Sequence, residues 1–201
     1  MSIAVIDYGA GNLKSVTKAL DFLGFPNRIA SNPQELEMAD AMILPGVGAF
    51  PKCMEALRNS GMDLEIKRQV KKKPLLGICL GMQMLMDSST EISLSAGLGL
   101  IPGSVEKIET TYKLPHIGWN SLCVVHQNPL TKGLHDGDYV YFVHSFCAKV
   151  THTEDLALIT HYGTDVTAMV AKDGVFGCQF HPEKSGPVGL TILKNFGELN
   201  R

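Results

Sequence analysis

Two short segments carry residues whose types and spacing can do chemistry. The first, Gly77-Ile78-Cys79-Leu80-Gly81, fits the pattern G-x-C-x-G. A nucleophile on a tight strand-to-helix turn projects its side chain clear of the sheet, and flanking glycines remove Cβ clashes around it. That turn sets Cys79 beside the start of a helix. Free N–H groups there favour a thiolate, and the Leu80 N–H can bind an oxyanion. A lone cysteine at a strand end also reads as a small buried hydrophobe. The second segment is Phe180-His181-Pro182-Glu183. A thiol nucleophile needs an imidazole as base and later as acid, and the imidazole needs a carboxylate to fix its tautomer. His181 and Glu183 are expected on one side of an extended chain, with Pro182 stiffening the link. Taken alone, His181 reads as an ordinary, partly buried histidine. Together with the elbow it is harder to explain by packing.

A third piece is Pro45-Gly46-Val47-Gly48. Its two glycines permit unusual backbone angles and close approach to a ligand. Backbone N–H groups at Gly46, Val47 and Gly48 can complete an oxyanion hole, although the same residues also suit a plain strand-to-helix turn. His116, His126, His135, His152 and His161 lack metal-ligand spacing, so no metal site is expected. His144 sits in an aromatic run and can line a pocket. Cys53, Cys123, Cys147 and Cys178 read as packing residues.

The first half alternates apolar strands with helical patterns. Ile3–Ile6 is a strand, followed by a small-residue loop at Gly9–Asn12. Asn12 is placed to cap a helix reaching about Leu23 and closed by Gly24. Strands at Arg28–Ala30, Ala41–Leu44 and Leu75–Ile78 follow. Asn32-Pro33-Gln34-Glu35 is expected to start a short helix, with helices over about 50–58 and 62–72 and another after Cys79. This alternation predicts an α/β fold: a mostly parallel central sheet with helices on both faces. Ligands in such sheets sit beyond the carboxyl ends of the strands. The loops at Gly9–Asn12, Pro45–Gly48 and Cys79–Gly81 should therefore meet there. From about Ile101 to Phe180 the chain is rich in β-formers with Gly or Asp turns, which predicts an antiparallel strand and hairpin region. A last helix is expected over about Val188–Leu199.

Composition narrows the classes. The chain has 201 residues, 45% hydrophobic, with 18 basic against 20 acidic residues. Roughly 70% of the unfolded surface of a chain this long can be buried, so no staples are required. The charge balance excludes a strongly basic nucleic-acid footprint, so no nucleic-acid partner is expected. Five scattered cysteines without a C-x-x-C argue against a disulfide scaffold or zinc knuckle and for a reducing, cytoplasmic setting. The first residues lack a signal-peptide pattern, and the apolar runs are far below the ~20 residues of a membrane span, so no membrane is expected.

Taken together, Gly77-Ile78-Cys79-Leu80-Gly81-Met82-Gln83, Pro45-Gly46-Val47-Gly48 and His181-Pro182-Glu183 resemble the class I (triad) glutamine amidotransferases. The segments Asp7–Asn12, Leu114-Pro115-His116-Ile117-Gly118-Trp119-Asn120, Tyr141–Phe146 and Gln179–Ser185 resemble, more narrowly, the glutaminase-subunit family of imidazole glycerol phosphate synthases. The resemblance runs from the first strand to the last helix and implies a single domain over 1–201. It implies hydrolysis of glutamine to glutamate and ammonia. Cys79 would attack the side-chain amide, His181 would protonate the leaving ammonia and then activate water, and Glu183 would orient His181. It implies oxyanion donors at Leu80 and in the Gly46–Gly48 loop, with the Val47 peptide as the expected control point. Gln83, Ser145 and Phe146 resemble positions that hold the glutamine backbone groups. No cofactor is implied. The implied partner is a separate cyclase subunit, a (β/α)8 barrel in a heterodimer, which uses the ammonia to form imidazole glycerol phosphate and aminoimidazole carboxamide ribonucleotide in histidine biosynthesis. Such a barrel needs ~250 residues, which this chain cannot hold beside its own fold. Asn12, Ile117, Trp119 and Tyr141 are the expected interface positions, though each aromatic also suits a core. A paralogue supplying a different synthase is the alternative.

Overall fold

A computed structural model describes residues 2–199. The expected alternation forms β1 (Ile3–Ile6), α1 (Leu13–Phe22), β2 (Asn27–Ala30), α2 (Pro33–Glu37), β3 (Ala41–Gly46), α3 (Phe50–Asn59), α4 (Met62–Gln69), β4 (Leu75–Cys79) and the short α5 (Leu80–Met84). The second half supplies β5 (Ser88–Ser89), β6 (Ser95–Ala96), β7 (Gly103–Lys107), β8 (His116–Ser121), β9 (Cys123–Val124), β10 (Tyr139–His144), β11 (Phe146–Val150), β12 (Leu156–His161), β13 (Asp165–Lys172) and β14 (Val175–Cys178). It closes with α6 (Gly186–Gly197).

The central sheet has eight strands in the order β2-β1-β3-β4-β14-β13-β12-β9. Its first five are parallel, and β13, β12 and β9 extend it antiparallel. A four-stranded sheet, β11-β7-β5-β6, and a two-stranded ribbon, β10-β8, pack beside it. Strand alternation divides the core between the two faces. Ala4, Ile6, Met42 and Leu44 join the residues of α2, α3 and α4. Ile3, Val5, Ala41 and Ile43 face α1 and α6 through Val16, Leu20, Ile192 and Phe196. Among the described residues no helix is long and apolar enough to cross a membrane.

Several local expectations are corrected. The third strand continues through Pro45 and Gly46, because its parallel register carries Gly46 opposite Cys79. Asn12 occupies the cap position of α1, but its side chain makes no cap hydrogen bond. The last helix starts at Gly186, with Pro187 in its first turn where a missing N–H costs nothing, and ends at Gly197. Cys123 is exposed rather than packed, because β9 is an edge strand. Cys53, Cys147 and Cys178 are buried as expected.

Candidate active site

The turn from β4 into α5 sets Cys79 at φ 55°, ψ −111°, a conformation that L-residues rarely adopt. Such strain costs about 1–3 kcal/mol and persists only where the surroundings impose it. Here the imposing feature is close backbone packing. A Cβ on Gly81 would lie 1.8 Å from the Leu44 carbonyl oxygen, and one on Gly77 would lie 2.7 Å from the Gly81 backbone. The glycines of the G-x-C-x-G pattern thus let α5 fold back against β3 and β4. Leu80 opens α5, so its N–H is among the first-turn donors that have no acceptor within the helix.

His181 follows β14, the neighbour of β4 in the sheet, so adjacent strands deliver nucleophile and imidazole to the same edge. The expected extended geometry for His181 and Glu183 is not what forms. Pro182 opens a short 3-10 turn over Pro182–Lys184, which curls the carboxylate back to the ring. His181 Nδ1 and Glu183 Oε1 are 2.9 Å apart, with both side chains almost fully buried. Burial opposes charging of His181. Hydrogen bonds and charge from Cys79 and Glu183 outweigh it and hold the pKa up to about 9. Ser185 locks this turn: its hydroxyl donates to the His181 carbonyl at 2.6 Å and accepts the Tyr141 N–H at 3.0 Å.

A cavity of about 400 Å³ opens over Cys79 and His181. Val47, Gly48, Leu80, Gln83, Ser145 and Phe146 line it, as does His144. Gly46 lies just behind, in β3 opposite Cys79, so close that a Cβ there would meet the Gly81 backbone nitrogen at 2.8 Å. Gly48 has φ +114°, and Val47 is 45% exposed at the rim. The Gly9–Gly11 loop reaches the same edge, sharing a second cleft with Val47. A larger cleft of about 590 Å³ lies where β4 and β14 begin, walled by Lys71–Lys73, His126 and Asp173. It holds neither a cysteine nor His181, so size does not locate the chemistry.

In and around the cavity lie groups that single motifs do not reveal. Glu91, on the β5–β6 connection, contributes a carboxylate whose Oε2 accepts the Phe50 N–H at 2.7 Å. Gln179 donates from Nε2 toward Cys79 Sγ at 3.7 Å and accepts from Gln83 Nε2 at 3.0 Å. Gln83 Nε2 also donates to the Phe146 carbonyl at 3.0 Å. Behind the Pro45–Gly48 loop, the Tyr8 hydroxyl donates to the Pro45 carbonyl at 3.1 Å, and the Cys53 thiol donates to the Val47 carbonyl at 3.5 Å. Burial pushes the Cys53 thiol up; burial, then Cys53, pushes the Tyr8 phenol up, so both stay protonated donors. The signals available in sequence were the Asp7–Asn12 and Gln179–Ser185 segments, which contain Tyr8, Gln179 and Ser185 without assigning them a role.

The four expected interface positions do not lie in the cavity. Ile117 and Trp119 are 58% and 55% exposed on one face of β8. Tyr141 lies opposite Trp119 on β10, with the rings 6.3 Å apart, and is half-buried. Asn12 is half-buried at the start of α1.

The family profile "Glutamine amidotransferase class-I" matches residues 4–198. The chain is 49% identical to the imidazole glycerol phosphate synthase subunit HisH of Caldanaerobacter subterraneus, over 98% of each chain. It is 50% identical to the protein of the same name from Listeria innocua, over 98% of this chain and 95% of the relative. Among solved structures it is similar to a glutamine amidotransferase with a TM-score of 0.76 and 21% identity, over 97% of this chain and 98% of that one. It is also similar to PurLQS from Thermotoga maritima with a TM-score of 0.78 and 22% identity, over 97% and 96% of the two chains. At that identity the structural likeness speaks for the fold alone.

Proposed function

Because the chain belongs to the class I glutamine amidotransferase family, we propose that Cys79, His181 and Glu183 form its catalytic triad. The chain is the glutaminase subunit of an imidazole glycerol phosphate synthase, acting in histidine biosynthesis. The observation that carries the assignment of roles is the 2.9 Å His181–Glu183 contact, buried in the wall of the cavity that exposes Cys79.

The Cys79 sulfur, its thiol proton taken up by His181, attacks the side-chain carbonyl carbon of glutamine. The amide oxygen takes up negative charge and is held by the Leu80 N–H and by N–H groups of the Gly46–Gly48 loop. Removing one such donor typically costs ~10²–10³ in rate. His181, charged at neutral pH by its raised pKa, gives its proton to the nitrogen as the carbon–nitrogen bond breaks. Ammonia leaves and a thioester remains. The neutral imidazole then takes a proton from water, which attacks the thioester and releases glutamate. Glutamine also carries an α-ammonium, and Glu91 is the carboxylate placed in the cavity to meet it. Gln83, Ser145 and Phe146 form the wall against which the rest of the amino acid lies.

Free ammonia released to water at neutral pH becomes ammonium, a poor nucleophile, so it must pass directly to its consumer. We assign that consumer to a separate (β/α)8-barrel cyclase docked over the face that carries Ile117, Trp119 and Tyr141, and reaching Asn12. The chain itself works as one domain. Mixing it with a candidate cyclase tests the reading. Glutamine-dependent imidazole glycerol phosphate should form, and Cys79→Ala should abolish it. Glutaminase activity without that product would favour a paralogue serving another synthase.

A further inference from the structure

The function above leaves two buried histidines without a role. His116 and His144 lie opposite each other on β8 and β10, and both are nearly inaccessible. Their hydrogen bonds have one consistent direction. His144 Nδ1 is 2.9 Å from the Phe146 carbonyl, which only accepts, so this nitrogen carries the proton. Burial holds His144 neutral, with its pKa lowered to about 4, so its Nε2 is a bare acceptor. His116 Nδ1 lies 3.2 Å from that Nε2 and therefore donates to it. Burial holds His116 neutral as well, with its pKa lowered to about 4. Its own Nε2 is bare and accepts from Asn120 Nδ2 at 3.3 Å. Asn120 is held in turn: Nδ2 donates to the His161 carbonyl and Oδ1 accepts the Ser121 N–H. The His116 ring is clamped between Phe142 and Tyr162, with centroids 4.7 and 4.0 Å away and planes within about 20°.

The Phe146 carbonyl where this chain ends is not an arbitrary acceptor. It also takes the Gln83 N–H, and Gln83 holds Gln179, which donates toward the Cys79 sulfur. One carbonyl therefore joins a neutral histidine relay to Gln83, which lines the cavity, and to Gln179, buried behind Cys79.

We propose that His144 and His116 are positioning residues for glutamine binding: a single-tautomer relay, Asn120 to His116 to His144, that fixes the Phe146 carbonyl and through it the Gln83 and Gln179 amides. Neither ring transfers a proton in the reaction. The relay also gives a physical reason for the spacing of His116 and Asn120: residues four apart along β8 both reach the side facing His144, one through its ring and one through its amide. This proposal rests on the glutaminase reading for its kinetic consequence, but not for its hydrogen-bond pattern.

Two measurements on the complex with its cyclase test it. In protein labelled with ¹⁵N-histidine, NMR should show both rings neutral and in the Nδ1–H form at pH 7. In glutamine hydrolysis, His144→Leu should raise KM about tenfold, the scale of a lost hydrogen bond in a buried site, and lower kcat by less. His144→Asn, whose amide can donate from the position of Nδ1, should recover most of that loss. His116→Phe keeps the stacked ring and therefore the fold, and should raise KM while releasing the His144 tautomer. An Nε2–H form in either ring would overturn the proposal, as would a His144→Asn variant as impaired as His144→Leu. Were the wild-type complex to hydrolyse no glutamine, the glutaminase reading would fail, and the tautomers would still decide the relay.

Discussion

Glu183→Gln isolates what the buried carboxylate does for His181. The pair is 2.9 Å apart with both side chains nearly inaccessible, so little water screens it. Glu183 is one of the two groups that lift the His181 pKa from 6.5 to about 9 against burial. At pH 7.5 a pKa of about 9 keeps the imidazolium in excess by about thirty to one. Without the carboxylate, only the Cys79 contribution opposes burial, so the pKa falls from about 9. A full return to the ordinary 6.5 would leave about a tenth of the molecules charged at pH 7.5. On that full return, protonation alone would cost about tenfold in kcat at pH 7.5. A misoriented or wrong-tautomer ring adds to this, up to the ~10⁴-fold seen when the carboxylate of a serine triad is replaced by an amide. The diagnostic reading is the shape of the profile. The wild-type alkaline limb of kcat/KM should lie near 9, and the variant's should move to lower pH. A variant limb still near 9 would refute the argument, because the charge on His181 would not depend on Glu183.

Gly81→Ala places a Cβ 1.8 Å from the Leu44 carbonyl oxygen, so α5 must move off β3. Activity should fall below detection and the melting temperature should drop, both measured on purified protein; wild-type values would disprove the packing account of the elbow. Two histidines give stability opposite pH slopes. His144, held down to about 4, contributes stability that is present above the unfolded value near 6.5 and lost as pH falls toward 4, about 3 kcal/mol for the whole shift. His181, held up to about 9, contributes stability that is full below 6.5 and lost as pH rises through 9. Urea unfolding between pH 5 and 9 should therefore weaken toward both ends, and a curve flat from 6.5 to 5 would show that the buried histidine charges freely. Trp119→Ala should leave thermal stability nearly unchanged, because the ring is 55% exposed, and weaken cyclase binding about thirtyfold if it is a central contact. Calorimetric titration showing wild-type affinity would remove Trp119 from the interface.

The parallel half of the fold and the nucleophile were legible in sequence because their signals are local. β1, β3 and β4 are apolar runs of four to six residues, and the elbow's glycines sit within two positions of Cys79. The pairing of His181 with Glu183 was legible, but its geometry was not. Spacing alone suggests an extended chain, whereas Pro182 starts a turn that brings the carboxylate to the ring. Glu91, Gln179 and Tyr8 carried no such signal, because each gains its role from a partner far away in sequence. Glu91 meets Phe50, Gln179 meets Gln83 and Cys79, and Tyr8 meets Pro45. The two-residue strands β5, β6 and β9 are too short to show periodicity, and an exposed cysteine such as Cys123 looks like a packed one until the strand order puts β9 at an edge.

The division of labour in the site follows from how firmly each part is held. Nucleophile and imidazole come from adjacent parallel strands, β4 and β14, in the middle of an eight-stranded sheet. Their relative position is fixed by backbone ladders and two packed faces. The cavity wall at Ser145 and Phe146 instead joins β10, which pairs only with β8 in a two-stranded ribbon, to β11, which pairs with β7. Such a ribbon is marginal on its own, so its position depends on ties to its neighbours, among them the His181 N–H to the Tyr141 carbonyl at 3.0 Å. Ser185 ties Tyr141 to the His181 turn, the His116 stack ties β8 to β10, and Gln83 and His144 together hold the Phe146 carbonyl. The outward face of that same ribbon bears Ile117 and Trp119. The least self-sufficient element of the site is thus also the one that presents the exposed aromatic surface, so substitutions in the ribbon should alter glutamine affinity more readily than those in the sheet, which should alter folding first.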